Sequence, residues 1–143
     1  MVRSGMARVL VVDDEEATRK LLKRVIEAHG HTCVTAGNGD EALCHIYRSD
    51  EYFDVVVLDL NMPGGIGGIE FLKLKFVSDR LRDAAIIVVS GIASDVPREQ
   101  LRGAAVIFDK PIMLDQLMRT INGSTRDTIP PGDDPDPDPE PAR

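Results

Sequence analysis

An α/β domain built on an open, doubly wound parallel sheet is the architecture this sequence predicts, and three observations carry it. Five short apolar runs rich in β-branched residues recur along the chain. The segments between them carry helical periodicity, so strand and helix alternate five times, which implies parallel strands with helices on both faces. Four of the five runs end in a polar or charged residue.

The first strand is Arg8-Val9-Leu10-Val11-Val12, closed by Asp13-Asp14-Glu15-Glu16. A helix follows, with Ala17, Leu21, Leu22, Val25 and Ile26 on its apolar face and Lys20, Lys23, Arg24 and Glu27 on the solvated one, stopped by Gly30. Thr32-Cys33-Val34-Thr35 is a short second strand, and Asn38-Gly39-Asp40 opens a second helix reaching about Tyr47. Val55-Val56-Val57-Leu58 is an unbroken apolar run that stops at Asp59 and the turn residues Met62-Pro63-Gly64, the pattern of a strand buried on both faces. A third helix runs from Ile69 to about Phe76. Ile86-Ile87-Val88-Val89 is the fourth strand, ending at Ser90-Gly91. A fourth helix is expected from near Asp95 to Gly103, with Pro97 in its first turn, where a missing N–H costs little. Ala105-Val106-Ile107-Phe108 is the fifth strand, ending in Asp109-Lys110-Pro111, and the last helix covers about Leu114 to Asn122.

Size and charge set limits. The chain has 143 residues, 43 % of them hydrophobic, enough for one domain with a substantial core. No apolar stretch is long enough to cross a membrane, and MVRSGMAR is not followed by a secretory core, so a soluble cytoplasmic protein is expected, with no membrane partner. The net charge of -7 argues against nucleic acid as a partner. Cys33 and Cys44 have no ligand pair at metal-site spacing and are expected to be buried, reduced thiols. His29, His31 and His45 lack ligand spacing as well. Residues 126 to 143 hold six acids, two arginines and six of the nine prolines, a segment with nothing to bury, expected as a disordered tail. The expected organisation is a short N-terminal extension over 1–7, one domain over 8–122 and the acidic, proline-rich tail over 123–143.

In a parallel sheet all strand ends of one kind lie along the same edge. Asp13, Asp14, Asp59, Ser90 and Lys110, far apart in sequence, are thereby brought to one crevice at the carboxyl ends of the strands. A single Asp there is commonly a cap or turn residue, and Ser90 also fits as an ordinary cap; the convergence of four polar strand ends points to a site. Three carboxylates about 5 Å apart repel by roughly 3 kcal/mol per pair at an effective dielectric of 20. Lys110 offsets one charge and a divalent cation the other two. Oxygen ligands favour a hard ion, Mg²⁺ before Zn²⁺, and such a site suits phosphoryl chemistry.

The pieces VLVVDDEE, VVVLDLNMPGG, IIVVSG and FDKP, in this order and spacing, resemble the receiver domain of bacterial two-component response regulators over about residues 7–122. The resemblance implies a flavodoxin-like (βα)5 fold with strand order 2-1-3-4-5. It implies Asp59 as phosphoacceptor from a sensor histidine kinase or a histidine phosphotransfer protein. Asp13 and Asp14 would hold Mg²⁺, Asp14 as the direct ligand, with Asp59 and the backbone carbonyl of Asn61 completing the protein contacts. Lys110 would pair with the phosphoryl oxygens and Ser90 would swing in to hydrogen-bond one of them. Such a protein is not an enzyme beyond catalysing its own phosphorylation and dephosphorylation, and its output partner is unnamed by the sequence.

Three features depart from the family pattern. Ile107 stands where an aromatic residue is usual, three before the lysine, and Phe108 beside it should point to the other face of the strand. The loop MPGGIGGIEF is one residue longer than the common form and holds four glycines, which implies added mobility. No DNA-binding or catalytic domain follows, so direct transcription control by this chain is not expected. Two other readings compete. A phosphatase of the haloacid-dehalogenase type generally needs a second Asp two residues after the first, and Asn61 cannot donate a proton in that way. A degenerate receiver, binding partners without being phosphorylated, conflicts with an intact Asp59, acidic pair and lysine, although Ile107 leaves room for it.

Overall fold

Successive strand residues face opposite sides of a sheet, so strands that are apolar throughout need cover on both. The computed structural model, which describes residues 5–50 and 52–124, has that arrangement. Strands β1 (Arg8–Val12), β2 (Thr32–Ala36), β3 (Val55–Leu58), β4 (Ala85–Ser90) and β5 (Ala104–Asp109) form one sheet in the order β2-β1-β3-β4-β5, with every neighbouring pair parallel. Leu10, Val12, Val56, Leu58, Ile86 and Val88 face a core shared with helices α2 (Gly39–Arg48) and α3 (Gly68–Lys73). The alternate residues Val9, Val11, Val55, Val57, Ile87 and Val89 face a second core with α1 (Glu16–Ala28) and α4 (Leu114–Gly123). The expected flavodoxin-like fold is therefore present.

Local signals explain the helix ends. Asn38 caps α2, its side-chain oxygen accepting from the Glu41 N–H at 2.8 Å, a contact worth about 1 kcal/mol. On α1, Leu22 and Ile26 are buried one turn apart, and each such side chain contributes about 2 kcal/mol of burial. The predicted apolar face is narrower than expected: Val25 is half-buried, while Ala17 and Leu21 are exposed, because the stripe that meets the sheet runs through 22 and 26. α3 is also short, and its last turn is a 3₁₀ turn over Leu74–Phe76.

The fourth connection differs in kind. No α-helix spans 95–103; two 3₁₀ turns, Ala93–Asp95 and Arg98–Leu101, stand there instead. Val96 is extended (φ -102°, ψ 131°), as the residue before a proline prefers to be. Pro97 itself has ψ 140°, so it separates the two turns rather than opening a helix, and Gly103 at φ 98° ends the segment two residues past the second turn.

Of the two cysteines, Cys33 is buried and its thiol is pushed up to about 12 by that burial, which leaves it unreactive at neutral pH. Cys44 is exposed on α2, against expectation, since the buried stripe of that helix runs through Ala42 and Ile46. His31, given no role by its spacing, is buried and bridges two elements. Its Nδ1 accepts from the Ala7 N–H at 2.8 Å and its Nε2 lies 2.7 Å from Asn122 Oδ1. No helix among the described residues is long and apolar enough to cross a membrane. The expected tail lies outside the described residues from 125 onward.

Candidate functional site

Three backbone bonds carry the sheet one residue past its strands and fix the site. Asp13 donates its N–H to Ala36 O at 3.0 Å, Asp59 to Val12 O at 2.9 Å and Lys110 to Ser90 O at 3.3 Å. Asp13 and Asp59 thus stand side by side at β1 and β3, where the strand order reverses, the place at which such sheets bind ligands. Gly68, at the start of α3, lets that helix press against the same turn. A Cβ there would come 2.4 Å from Leu60 Cα and 2.6 Å from Asp59 O, both backbone atoms. Gly68→Ala is therefore expected to lower stability by about 2 kcal/mol, read as a drop in the urea midpoint; an unchanged midpoint would mean that the turn yields freely.

Carboxylate oxygens of Asp13, Asp14 and Asp59 lie within 4.8 Å of one another. Asp13 and Asp59 are buried, each 4 % exposed, and Asp14 faces solvent. Lys110 Nζ sits 3.3 Å from both Asp13 Oδ2 and Asp59 Oδ2. Asp59 Oδ1 accepts from the Asn61 N–H at 3.1 Å, and Asp13 Oδ1 from the Glu15 N–H at 2.8 Å. Burial raises the Asp59 carboxyl above its ordinary value; the Asn61 N–H and Lys110 oppose this, and the charge of Asp13 adds to it. For Lys110, burial alone would favour the neutral amine, but Asp13 and Asp59 together outweigh it and the pKa rises.

The donor set fits a hard divalent cation. It is made of oxygens, one carboxylate opens to solvent, and one lysine against three carboxylates leaves two negative charges unmatched. Beside the acids, on the α1 side, Val11, Leu22, Val57, Val89 and Ile112 line a cavity of 570 Å³ together with Asp13, Asp59 and Lys110.

Of the predicted residues, Asp13, Asp14, Asp59 and Lys110 come together, with the Asn61 backbone joined to them. Ser90 stands at the same edge, fully buried, but its hydroxyl is engaged locally, accepting from the Ile92 N–H at 3.1 Å. Ile107 is 36 % exposed and lines a hollow with Ala93, Val96 and Leu101, while Phe108 packs into the α1/α4 core on the opposite face, as its neighbouring position requires. Sequence reasoning missed Arg19. Its guanidinium reaches back from α1 to the Asp13 carbonyl, 2.8 Å away, and the signal available was a cation on the turn of helix that follows the acidic pair.

The family model described as "Response regulator receiver domain" matches residues 9–122. The sensory/regulatory protein RpfC of Xanthomonas campestris pv. campestris is 35 % identical over 121 residues, which are 80 % of this chain but only 16 % of that protein. The polar-differentiation response regulator DivK of Brucella anthropi is 30 % identical over 115 residues, 79 % of this chain and 91 % of the relative. Among solved structures, the response regulator protein TrrA from Thermotoga maritima in complex with Mg(2+)-BeF is similar with a TM-score of 0.70 and 32 % identity, covering 84 % of this chain and all of that one (100 %).

Proposed function

Because the chain belongs to the response regulator receiver domain family, we propose that Asp59 accepts a phosphoryl group from the phosphohistidine of a sensor histidine kinase or histidine phosphotransfer protein in the cytoplasm. The observation that carries this reading is the buried Asp59 carboxylate held 3.3 Å from the Lys110 ammonium beside a second buried carboxylate. An Asp59 oxygen attacks phosphorus, the P–N bond to the donor imidazole breaks, and its electron pair stays on that nitrogen. The Asn61 N–H orients the carboxylate. Lys110, already between Asp13 and Asp59, donates to the phosphoryl oxygens as they arrive. Asp13, Asp14, Asp59 and the Asn61 carbonyl would hold Mg²⁺, which, when bound, neutralises charge on those oxygens.

Phosphorylation exchanges one carboxylate charge for about -2 and adds three acceptor oxygens. Ser90, whose hydroxyl accepts from the Ile92 N–H and keeps its own proton to donate, would serve one of them by swinging toward Asp59, a movement that draws its oxygen from the Ile92 N–H and loosens the entry to the two 3₁₀ turns over 93–101. That segment and β5 would shift together, biasing a two-state surface for an output partner. With Ile107 in place of an aromatic ring, the shift is carried by the turns rather than by a ring flip.

The test is intact mass after incubation with a small acyl phosphate, with and without Mg²⁺. A Mg²⁺-dependent gain of one phosphoryl group is expected. No gain from the acyl phosphate or from a panel of phosphorylated histidine donors would overturn the reading and leave a receiver that works by binding alone.

A further inference from the structure

Arg19 joins two loops at the rim of the acidic cluster. Its Nη1 donates to the Asp13 backbone carbonyl at 2.8 Å. The same guanidinium lies against Gly37 in the β2–α2 loop, where a Cβ would come 3.3 Å from Nη1. Asp13 is held on its other atoms too, by its N–H to Ala36 O and by Glu15 N–H to its Oδ1. The Arg19 bond therefore takes the one remaining polar group of the Asp13 backbone, next to the peptide that leads into solvent-facing Asp14. Helix α1, anchored by Leu22 and Ile26 in the core, supplies the rigid base from which the arginine reaches.

We propose that Arg19 is a positioning residue for the divalent cation: it fixes the β1–α1 turn so that the Asp13 and Asp14 carboxylates converge with Asp59, without touching the ion. This rests on the reading of the acids as a Mg²⁺ site. A charge effect and a positioning effect have opposite signs here. As a cation near a cation site, Arg19 repels Mg²⁺, and its removal would tighten binding if charge were all that mattered. As a clamp on a ligand loop, its removal loosens binding, by about tenfold for partners of metal ligands.

The experiment is Mg²⁺ titration of the full chain, followed by the amide shifts of residues 13–16 and 61, for wild type, Arg19→Ala, Arg19→Lys and Gly37→Ala, with thermal unfolding of each. Arg19→Ala is expected to weaken Mg²⁺ binding about tenfold with its apo melting temperature within a few degrees of wild type. Arg19→Lys keeps the charge but not the planar fork and should recover part of the loss. Gly37→Ala keeps the arginine, displaces its guanidinium, and should weaken binding in the same direction by less. Tighter or unchanged Mg²⁺ binding in Arg19→Ala overturns the proposal, as does a loss that simply follows the melting temperature across the set. If wild type itself shows no Mg²⁺-dependent shifts at those amides, the metal-site reading fails and the Arg19 role falls with it.

Discussion

Asp59→Asn is expected to abolish phosphoryl incorporation completely while making the metal-free protein more stable. The amide keeps the shape of the carboxylate but has no oxygen nucleophilic enough to attack phosphorus, so the mass gain disappears at any Mg²⁺ or donor concentration. The stability half follows from burial. The folded-state pKa of Asp59 is raised above its ordinary value, first by desolvation, with the Asn61 N–H and Lys110 opposing and Asp13 reinforcing. For an acid with a raised pKa, the stabilising contribution is fully present below the unfolded-state value and is lost as pH rises through the folded-state one. At neutral pH the ionised carboxylate therefore costs stability, and its neutral isostere relieves that cost. Wild type should melt lower than Asp59→Asn at pH 7 without Mg²⁺, the gap should close toward pH 3, and saturating Mg²⁺ should stabilise wild type more than the variant. Wild-type phosphoryl stoichiometry in Asp59→Asn would remove Asp59 as acceptor; a lower melting temperature at pH 7 would mean that Lys110 compensates the buried charge in full.

The sheet and the acids were legible in the sequence for the same reason: strands buried on both faces are written as apolar runs, so a charge at their ends stands out. Asp13, Asp59 and Lys110 are each one residue past a strand, and parallel topology alone aligns them. What the sequence concealed depends on tertiary context. The segment over 95–103 has helical composition, but Val96-Pro97 fixes an extended pair inside it and only short turns fit on either side. Leu21 looks like a core residue by type and is exposed because the buried stripe of α1 lies a third of a turn away. Arg19 stands on the turn of helix after the acidic pair, but that position alone does not separate it from the solvated cations of the same helix, because its partner is a backbone carbonyl that has no letter in the sequence. Ser90 was placed correctly at the strand end, and the bond it makes in this state, accepting from the Ile92 N–H, is the local cap-like alternative that a serine there also offered.

Lys110→Ala should separate the phosphate switch from the metal site. Lys110 is the cation within 3.3 Å of both buried carboxylates, and its pKa is raised because Asp13 and Asp59 outweigh the burial that would otherwise lower it. Its stabilising contribution is fully present below the ordinary lysine value and is lost as pH rises through the folded-state one, so at pH 7 it is intact. Removing one partner of a fully buried pair costs about 3–5 kcal/mol. The Lys110 side chain keeps 33 % exposure, so about 2 kcal/mol is the expected loss in the metal-free protein. Mg²⁺ should recover most of it, because the variant leaves three carboxylates with no lysine and a divalent cation meets them more strongly. Phosphoryl incorporation should slow but persist, and the phosphate-dependent change in the amide shifts of residues 91–109 should vanish, since nothing draws β5 toward Asp59. Mg²⁺ affinity would then rise in Lys110→Ala and fall in Arg19→Ala, although each variant removes one positive charge. Equal losses of Mg²⁺ affinity and of phosphate-dependent shifts in Lys110→Ala would show instead that the lysine only holds the acids together, and the switch would have to be sought elsewhere along β4.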